Sequence, residues 1–312
     1  MIKRTLYFGN PAYLSLRLKQ LVIKAPEEDG DLPDFDNAKS YKAVVKTIPV
    51  EDIGIVILDN KQITVTQGLL EELIDNNCAV ITCGSNHLPV GLMLPLYGNT
   101  VQNERFRNQL DSSLPLKKQL WQQTIQCKIA NQAFVLKYVT GEEHNNMKIM
   151  SSKVKSGDAD NLEARAAAYY WKTIFPDKDG FTRGRDEAEP NNLLNYGYAI
   201  LRAIVARALV SSGLLPTLGI HHHNRYNAYC LADDIMEPYR PYVDRIVYDI
   251  TREYGYTDLT KEIKVRMLSI PVVEVSIGGR RSPLMVAVSQ TTSSLAKCFN
   301  GELRKIIYPE MT

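Results

Sequence analysis

The sequence predicts an α+β protein in which an N-terminal β-sandwich domain is followed by a larger, mainly α-helical domain. Up to about Leu94 the chain consists of short segments rich in Val, Ile and Thr, separated by Asn, Asp, Gly and Pro. Beyond residue 104, apolar side chains recur at helical spacing. With 312 residues, 45% of them hydrophobic, the chain can bury a core in each of two domains.

Seven segments of the first domain, residues 1–94, have the composition of β-strands. They read TLYF, LSLRLKQLVIK, KAVVKTIPV, IGIVIL, QITVT, CAVITCG and LPVGLML. The segment LLEELIDN, from Leu69 to Asn76, predicts a short helix between two strands, and residues 27–37 form an acidic, Pro-containing loop. The domain is therefore predicted to be a β-sandwich that carries one helix.

Residues 95–104 contain Pro and Gly that interrupt the strand pattern, and they form the predicted linker. The helical domain then covers residues 105–312. Within it, apolar residues from Leu193 to Leu214 follow a three-and-four spacing, which predicts a helix buried on one face. Near the end, PVVEVSIGGRRSPLMVAVS predicts two short strands around a Gly-Gly turn, and a final helix is expected from about Leu295 to Ile306.

The composition excludes several classes of protein. Thirty-seven Lys and Arg against 35 Asp and Glu give a net charge of only +2, so any DNA-binding surface must come from local clustering. The five cysteines are scattered without a CxxC pair, which argues against a disulfide framework or a zinc ribbon. The N-terminus lacks the apolar run of a signal peptide, and no segment approaches the roughly 20 apolar residues of a membrane span. A soluble, cytoplasmic protein without membrane contact is expected.

The segment from Gly219 to Asp244 is the strongest indication of chemistry, because His222 precedes a run of carboxylates. If the chain is helical from Leu231, Asp234 and Glu237 project from one face, where they can converge on one cation, whereas Asp233 points elsewhere. Glu163 opens an Ala-rich, helix-favouring stretch that a neighbouring helix can approach closely. One imidazole with two or three carboxylates suits Mg²⁺ or Mn²⁺ better than zinc, and such sites serve phosphodiester chemistry. A solvated acidic helix face is the alternative.

Four segments together resemble a known family, the CRISPR adaptation integrases, which insert new spacers into CRISPR arrays. They are IPVEDIGIVIL from Ile48, the Glu163 motif with the Tyr170-Trp171 pair, NNLLNYGYAIL from Asn191, and the histidine-to-DIMEPYRP block. The resemblance covers nearly the whole chain. The LYFGNPAYLSLR opening and the GIHH turn are similar to the branch that accompanies single-effector (type II) systems.

The resemblance implies a metal site made of Glu163, His222 and either Asp234 or Glu237. Ala164 departs from the glycine that is frequent in the family, and His221 competes with His222 for the histidine position. Whether His222 is a ligand or a proton shuttle stays open.

The resemblance also implies what the protein does and with what. It implies a Mg²⁺ or Mn²⁺ cofactor, 3′-hydroxyl transesterification, and cleavage of branched DNA. The implied substrates are double-stranded spacer precursor and CRISPR repeat. The implied assembly is a homodimer, paired through the N-terminal domain, that joins a small CRISPR-associated partner protein.

Basic residues near these motifs are candidates for phosphate contacts: Lys153, Lys155, Arg165, Arg183, Arg185, Arg280 and Arg281. Two other functions remain as alternatives. One is a structure-selective repair endonuclease that uses the same residues without a partner, and the other is a non-enzymatic scaffold for DNA ends whose carboxylates are structural. The sequence has neither a G-x-S-x-G elbow nor a P-loop, which argues against covalent catalysis and ATP use.

Overall fold

The computed structural model describes residues 3–26, 43–184 and 189–312. The chain divides into two compact units, Met1–Leu96 and Tyr97–Thr312. Strands dominate the first unit and helices the second, which confirms the predicted α+β class. The predicted acidic loop at residues 27–37 lies outside the described residues.

In the first unit, the described strands form two four-stranded sheets, ordered β1-β5-β7-β8 and β4-β3-β2-β6. In the first sheet β1, β5 and β7 are parallel and β8 is antiparallel, whereas in the second only β6 is parallel to its neighbour. The elements are β1 (Arg4–Phe8), β2 (Ala12–Arg17), β3 (Gln20–Ala25), β4 (Ala43–Pro49), β5 (Ile53–Leu58), β6 (Ile63–Val65), α1 (Gln67–Asp75), β7 (Ala79–Cys83) and β8 (Pro89–Met93).

The core of the first unit draws side chains from both sheets and from helix α1. Leu14 and Ile53 come from different sheets, and Leu69 and Leu73 from α1, and all four are at most 1% exposed. Strand β5 reads as a nearly continuous apolar run because it is the parallel strand paired on both edges, by β1 and β7. The predicted β-rich region with one short helix is confirmed.

The second unit is built around two long helices, α3 and α6. Helix α3 packs against α4, α5 and α8, and α6 packs against α7, α8 and α10. The helices are α2 (Gln102–Leu110), α3 (Leu114–Thr140), α4 (Asn145–Lys153), α5 (Leu162–Thr173), α6 (Asn191–Ser211), α7 (Cys230–Met236), α8 (Arg240–Tyr254), α9 (Lys261–Met267) and α10 (Leu284–Phe299).

The residues at both ends of α3 are typical of helix termini. The Ser113 side chain accepts a hydrogen bond from the Leu116 amide, Pro115 lies in the first turn, and Gly141 ends the helix with φ of 75°. The helix is therefore fixed at both termini by its own sequence, and it can serve as a frame for the site.

Helix α6, from Asn191 to Ser211, confirms the helix predicted from Leu193 to Leu214, but it is buried on nearly all sides and not on one face as predicted. Among the described helices it alone is long and apolar enough to cross a membrane by length and composition, with a mean hydropathy of 1.4, so the prediction that no segment approaches a membrane span is wrong on these criteria. However, 78% of that window is buried inside the protein. The apolar composition of α6 is accounted for by its place in the core of the second unit.

The C-terminal region differs in part from the prediction. The two strands around the Gly-Gly turn are present as β9 (Glu274–Ile277) and β10 (Arg280–Pro283), and β11 (Pro309–Glu310) pairs with β9. The predicted bounds of the last helix are wrong, because α10 begins at Leu284 and ends at Phe299. Its first residues, LMVAVS, form an apolar run that suits a strand as well as a helix. The helix begins directly after Pro283, the last residue of β10, and Gly301 with φ of 83° follows its end.

Candidate active site

Two glutamates and one lysine that are far apart in sequence lie close together in the second unit. Glu163 lies in the first turn of α5, Lys128 in the middle of α3, and Glu237 opens a short 3₁₀ turn between α7 and α8. Lys128 Nζ lies 2.7 Å from Glu163 Oε1 and 2.6 Å from Glu237 Oε2. The lysine therefore joins two of the predicted ligands.

Glu237 is an ionised carboxylate in the protein interior, with 3% of its surface exposed. Burial opposes ionisation, but the positive charges of Arg240 and Lys128 lower the pKa of Glu237 below its usual value. Arg240 Nη2 lies 3.1 Å from Oε1. The other oxygen, Oε2, touches the Lys128 ammonium but has no partner in hydrogen-bond geometry among the described residues.

Lys128 stays protonated in this position. Its burial disfavours the charged form, but the carboxylates of Glu237 and Glu163 outweigh it and raise the pKa of Lys128 above its usual value. A single cation is thus stabilised between the two carboxylates.

Asp234 has a different set of partners from Glu237. Its fully buried carboxylate accepts hydrogen bonds from the backbone amides of Ile220 at 2.7 Å, His221 at 2.9 Å and His222 at 3.2 Å. His222 Nδ1 lies 2.5 Å from the same carboxylate. Asp234 therefore shapes the loop that carries the histidine, and its oxygens are taken by these four donors.

The loop needs glycine at position 219. A Cβ atom built there would lie 2.3 Å from His222 O and 2.8 Å from Asp234 Oδ2, closer than real Cβ atoms come. The loop can wrap around the Asp234 carboxylate only because Gly219 has no side chain.

The three consecutive histidines have different surroundings. His221 stacks flat on the buried ring of Trp121, with ring centroids 4.1 Å apart, and desolvation by burial lowers the pKa of His221. The hydrogen bond to Asp234 raises the pKa of His222 above its usual value. All three histidines are exposed in part, and the His222 side chain is 44% exposed. Because Nδ1 of His222 is held by Asp234, its Nε2 is the ring nitrogen available to a ligand.

A buried polar network lies behind Glu237. Asp244 accepts hydrogen bonds from Tyr170 Oη at 2.9 Å and Tyr198 Oη at 2.5 Å, and burial raises the pKa of Asp244 to about 6. The guanidinium groups of Arg240 and Arg183 lie 4.8 Å and 5.2 Å from the centroid of the Tyr198 ring. The arginine that holds Glu237 is thus itself fixed by this network.

Four residues of the site, Lys128, Trp121, Asp244 and Arg240, are not among those predicted from the sequence. Arg240 falls inside the DIMEPYRP block and could have been inferred from it. Lys128 and Trp121 could not, because each is one residue in a long helix whose local pattern contains no motif.

The side chains fit a hard divalent cation, provided that Lys128 moves. No three His, Cys, Asp or Glu side chains of the described residues are close enough to hold a metal as they stand. Lys128 lies between two of the candidate ligands, Glu163 and Glu237. Two carboxylates and an imidazole are nevertheless donors that Mg²⁺ and Mn²⁺ accept. The buried Glu237 Oε2, which lies 2.6 Å from the Lys128 ammonium, is an acceptor that already faces a cation.

The candidate phosphate contacts fall into two groups. Lys153, Lys155, Arg165, Arg280 and Arg281 are exposed, although Lys155 pairs with Asp160 at 2.8 Å and Arg281 with Glu274 at 3.0 Å. Arg183 instead donates to Asn191 Oδ1 at 2.9 Å and Asn195 Oδ1 at 2.7 Å, so its contacts are those of a structural residue. Arg185 lies outside the described residues.

Comparison with known proteins gives consistent relatives. The family model described as CRISPR associated protein Cas1 matches residues 6–262. The CRISPR-associated endonuclease Cas1 of Neisseria meningitidis serogroup C is 36% identical over 297 residues, which cover 94% of this chain and 91% of that protein. A CRISPR-associated endonuclease Cas1 of Pyrobaculum aerophilum is 27% identical, with 80% and 88% covered.

Solved structures share the fold. A casposase bound to integration product superposes with a TM-score of 0.74 at 20% identity, covering 98% of this chain and 92% of that one. A Cas1 protein from Thermotoga maritima has a TM-score of 0.69 at 17% identity, with 96% and 97% covered. At such identities the likeness concerns the fold alone.

Proposed function

Because this chain belongs to the CRISPR-associated Cas1 family, we propose that it is a metal-dependent DNA integrase and endonuclease of CRISPR adaptation. The observation that supports a metal site best is the meeting of Glu163 and Glu237 around one cationic position, beside the loop of His222. The identity to the Neisseria meningitidis protein, from a type II organism, agrees with the predicted single-effector branch.

The proposed reaction is a transesterification. The 3′-hydroxyl of an incoming DNA attacks a phosphorus of the CRISPR repeat, so that a new P–O bond forms while the repeat's own P–O3′ bond breaks. The attacking hydroxyl loses a proton and the leaving 3′-oxygen gains one. The number of phosphodiester bonds is unchanged, so ATP is not needed, and cleavage of branched DNA is the same step in reverse.

In this proposal Glu163, Glu237 and His222 Nε2 hold Mg²⁺ or Mn²⁺. The metal would act as a Lewis acid on the reacting phosphate. Arg240 fixes Glu237, and Asp234 orients the imidazole through Nδ1, which makes Asp234 a positioning residue. If His222 is not a ligand, the same Nε2 can carry the proton to the leaving oxygen, as the sequence analysis left open.

We further propose that the protein acts as a homodimer with a small partner protein on double-stranded DNA. Strand β8 is a sheet edge on which Val90 is 70% and Met93 46% exposed, which favours pairing through the first unit. Solved relatives in the fold comparison include a Cas6-RT-Cas1–Cas2 complex. The exposed Lys153, Lys155 and Arg165 would contact phosphates near Glu163.

The test is strand joining. A labelled duplex with a 3′-hydroxyl end is incubated with a supercoiled plasmid bearing a CRISPR repeat, the small partner, and Mn²⁺ or Mg²⁺. Joining that disappears with Glu163→Ala, His222→Ala and a chelator is the expected result. Cutting without joining would favour the repair endonuclease, and the absence of both reactions would favour a scaffold for DNA ends.

A further inference from the structure

Lys128 is a buried lysine whose helix is fixed to the turn that carries Glu237. It is 8% exposed, and Asn131, three residues later on the same face of α3, donates hydrogen bonds to Pro238 O at 2.9 Å and Pro309 O at 3.1 Å. Pro238 directly follows Glu237. Helix α3 is therefore locked to the turn that carries Glu237, and the Lys128 side chain emerges beside both carboxylates.

The ammonium occupies the carboxylate oxygens that a metal needs. Lys128 Nζ contacts Glu163 Oε1 and Glu237 Oε2, whereas Glu237 Oε1 is engaged by Arg240 at 3.1 Å. Asp234 offers no replacement, since its oxygens accept three backbone amides and face His222 Nδ1. A cation that binds Glu237 away from Arg240 must use Oε2, the oxygen that Lys128 now touches, and it must share the Glu163 carboxylate with the same ammonium.

The two cations exclude each other for reasons of space and charge. Mg²⁺ lies about 2.0–2.1 Å from its oxygen ligands, whereas Lys128 Nζ already lies 2.6 Å from Glu237 Oε2 and 2.7 Å from Glu163 Oε1. A metal held by the same oxygens would lie within a few ångströms of the ammonium, where two positive charges would repel each other strongly because the surroundings are buried.

We propose that Lys128 is a built-in competitor of the metal: its ammonium neutralises Glu163 and Glu237 in the metal-free protein, and metal binding displaces it. This inference rests on the proposed metal site. Two carboxylates side by side in the interior are costly without a counter-charge, so the lysine lets the helical unit fold before metal is present. The same contact weakens metal binding, because each binding event must first break the ion pairs.

Lys128→Met tests the competition, because methionine is an unbranched, uncharged side chain that fills similar space. The matched control is Lys137→Met, on the same helix, where the lysine pairs with Glu143 on the exposed surface. Binding of Mn²⁺ is followed from the paramagnetic resonance signal of the free ion. We expect Lys128→Met to bind Mn²⁺ at least about tenfold more tightly than the wild type, or about 1.4 kcal/mol, and Lys137→Met to be unchanged.

The outcomes separate this inference from the proposed function. Equal or weaker Mn²⁺ binding by Lys128→Met, with binding by the wild type, overturns the competition and leaves the metal site intact. Absence of binding in both overturns the metal site as well. Adding Glu163→Gln to Lys128→Met must abolish the tightened binding, since otherwise the ion binds elsewhere and the competition is overturned.

A second measurement uses the wild-type protein, in case Lys128→Met does not fold. An amine-acylating reagent is applied with and without saturating Mn²⁺, and modification of each lysine is followed by mass spectrometry. A displaced ammonium should be modified several-fold faster at Lys128 when Mn²⁺ is present, with Lys137 as the constant reference. An unchanged rate at Lys128 would refute displacement.

Discussion

The substitution Asp234→Asn probes the loop and the histidine together, because asparagine has the shape of aspartate but only one acceptor oxygen. The wild-type carboxylate, which is itself fully buried, accepts hydrogen bonds from three backbone amides and faces His222 Nδ1. The amide NH₂ of asparagine would point at two of these donors. Hydrogen bonds to a charged acceptor contribute about 1.5–3 kcal/mol each, so we expect the free energy of unfolding to fall by about 3–5 kcal/mol.

The same substitution should impair metal binding. If the asparagine NH₂ faces His222 Nδ1, that nitrogen must become the acceptor, and the proton moves to Nε2, which then cannot ligate a metal. Loss of such an orienting partner typically lowers metal affinity about 10- to 100-fold. We expect an effect of this size on Mn²⁺ binding and on strand joining.

Chemical denaturation and Mn²⁺ titration measure the two effects. Both tryptophans, Trp121 and Trp171, lie in the helical unit, so their fluorescence reports its unfolding. Asp177→Asn is the control, because its pair with Arg252 is exposed, and it should change stability by less than about 0.5 kcal/mol. If Asp234→Asn keeps wild-type stability and Mn²⁺ affinity, the positioning role is refuted.

Three further predictions follow from the geometry. The pKa of Asp244 is raised to about 6, so between about pH 4 and 6 the folded protein keeps a proton that the unfolded chain has lost, and the free energy of unfolding falls as the pH rises. Asp244→Asn should remove roughly 3 kcal/mol of this pH dependence in denaturation curves. If the wild type and the variant show the same pH dependence, the prediction is contradicted. Gly219→Ala should cost about 1–3 kcal/mol and at least tenfold in joining rate, since the added Cβ collides with His222 O; wild-type joining would show that the loop is not tightly wrapped. Arg165→Ala should weaken DNA binding in gel shifts and reduce the slope of log affinity against log salt concentration by about 1. Arg183→Ala should mainly lower the free energy of unfolding in denaturation curves. The reverse pattern would exchange their roles.

Much of the fold could be predicted from local pattern. Strand β5 is a short apolar run rich in β-branched residues, and helix α6 has apolar residues at helical spacing. The Gly278-Gly279 turn has φ angles of 56° and 73°, which glycine adopts readily. Helix α10 was misplaced because its first turn, LMVAVS, fits strand and helix equally well, and only packing against α6 decides between them.

The site was predicted less completely, for a physical reason. Helical spacing placed Asp234 and Glu237 on one face, but the loop amides capture the first carboxylate and Arg240 holds the second. Lys128 was missed because its partners lie 35 and 109 positions away along the chain. Local sequence can indicate which carboxylates form one site, but it does not reveal that a lysine from a distant helix forms ion pairs with them.

Helix α3 has a practical consequence for anyone who modifies the protein. The side-chain amide of Asn131 makes two hydrogen bonds with the C-terminal strand: Nδ2 donates to Pro309 O at 3.1 Å, and Oδ1 accepts from the Met311 amide at 3.0 Å. Lys128 lies less than one helical turn away on the same rod. An affinity tag or fusion attached after Thr312 would disturb the hydrogen bonds between the C-terminal strand and Asn131. Because Asn131 and Lys128 lie on the same helix, this disturbance would reach Glu163 and Glu237, so such labels are better attached elsewhere on the chain.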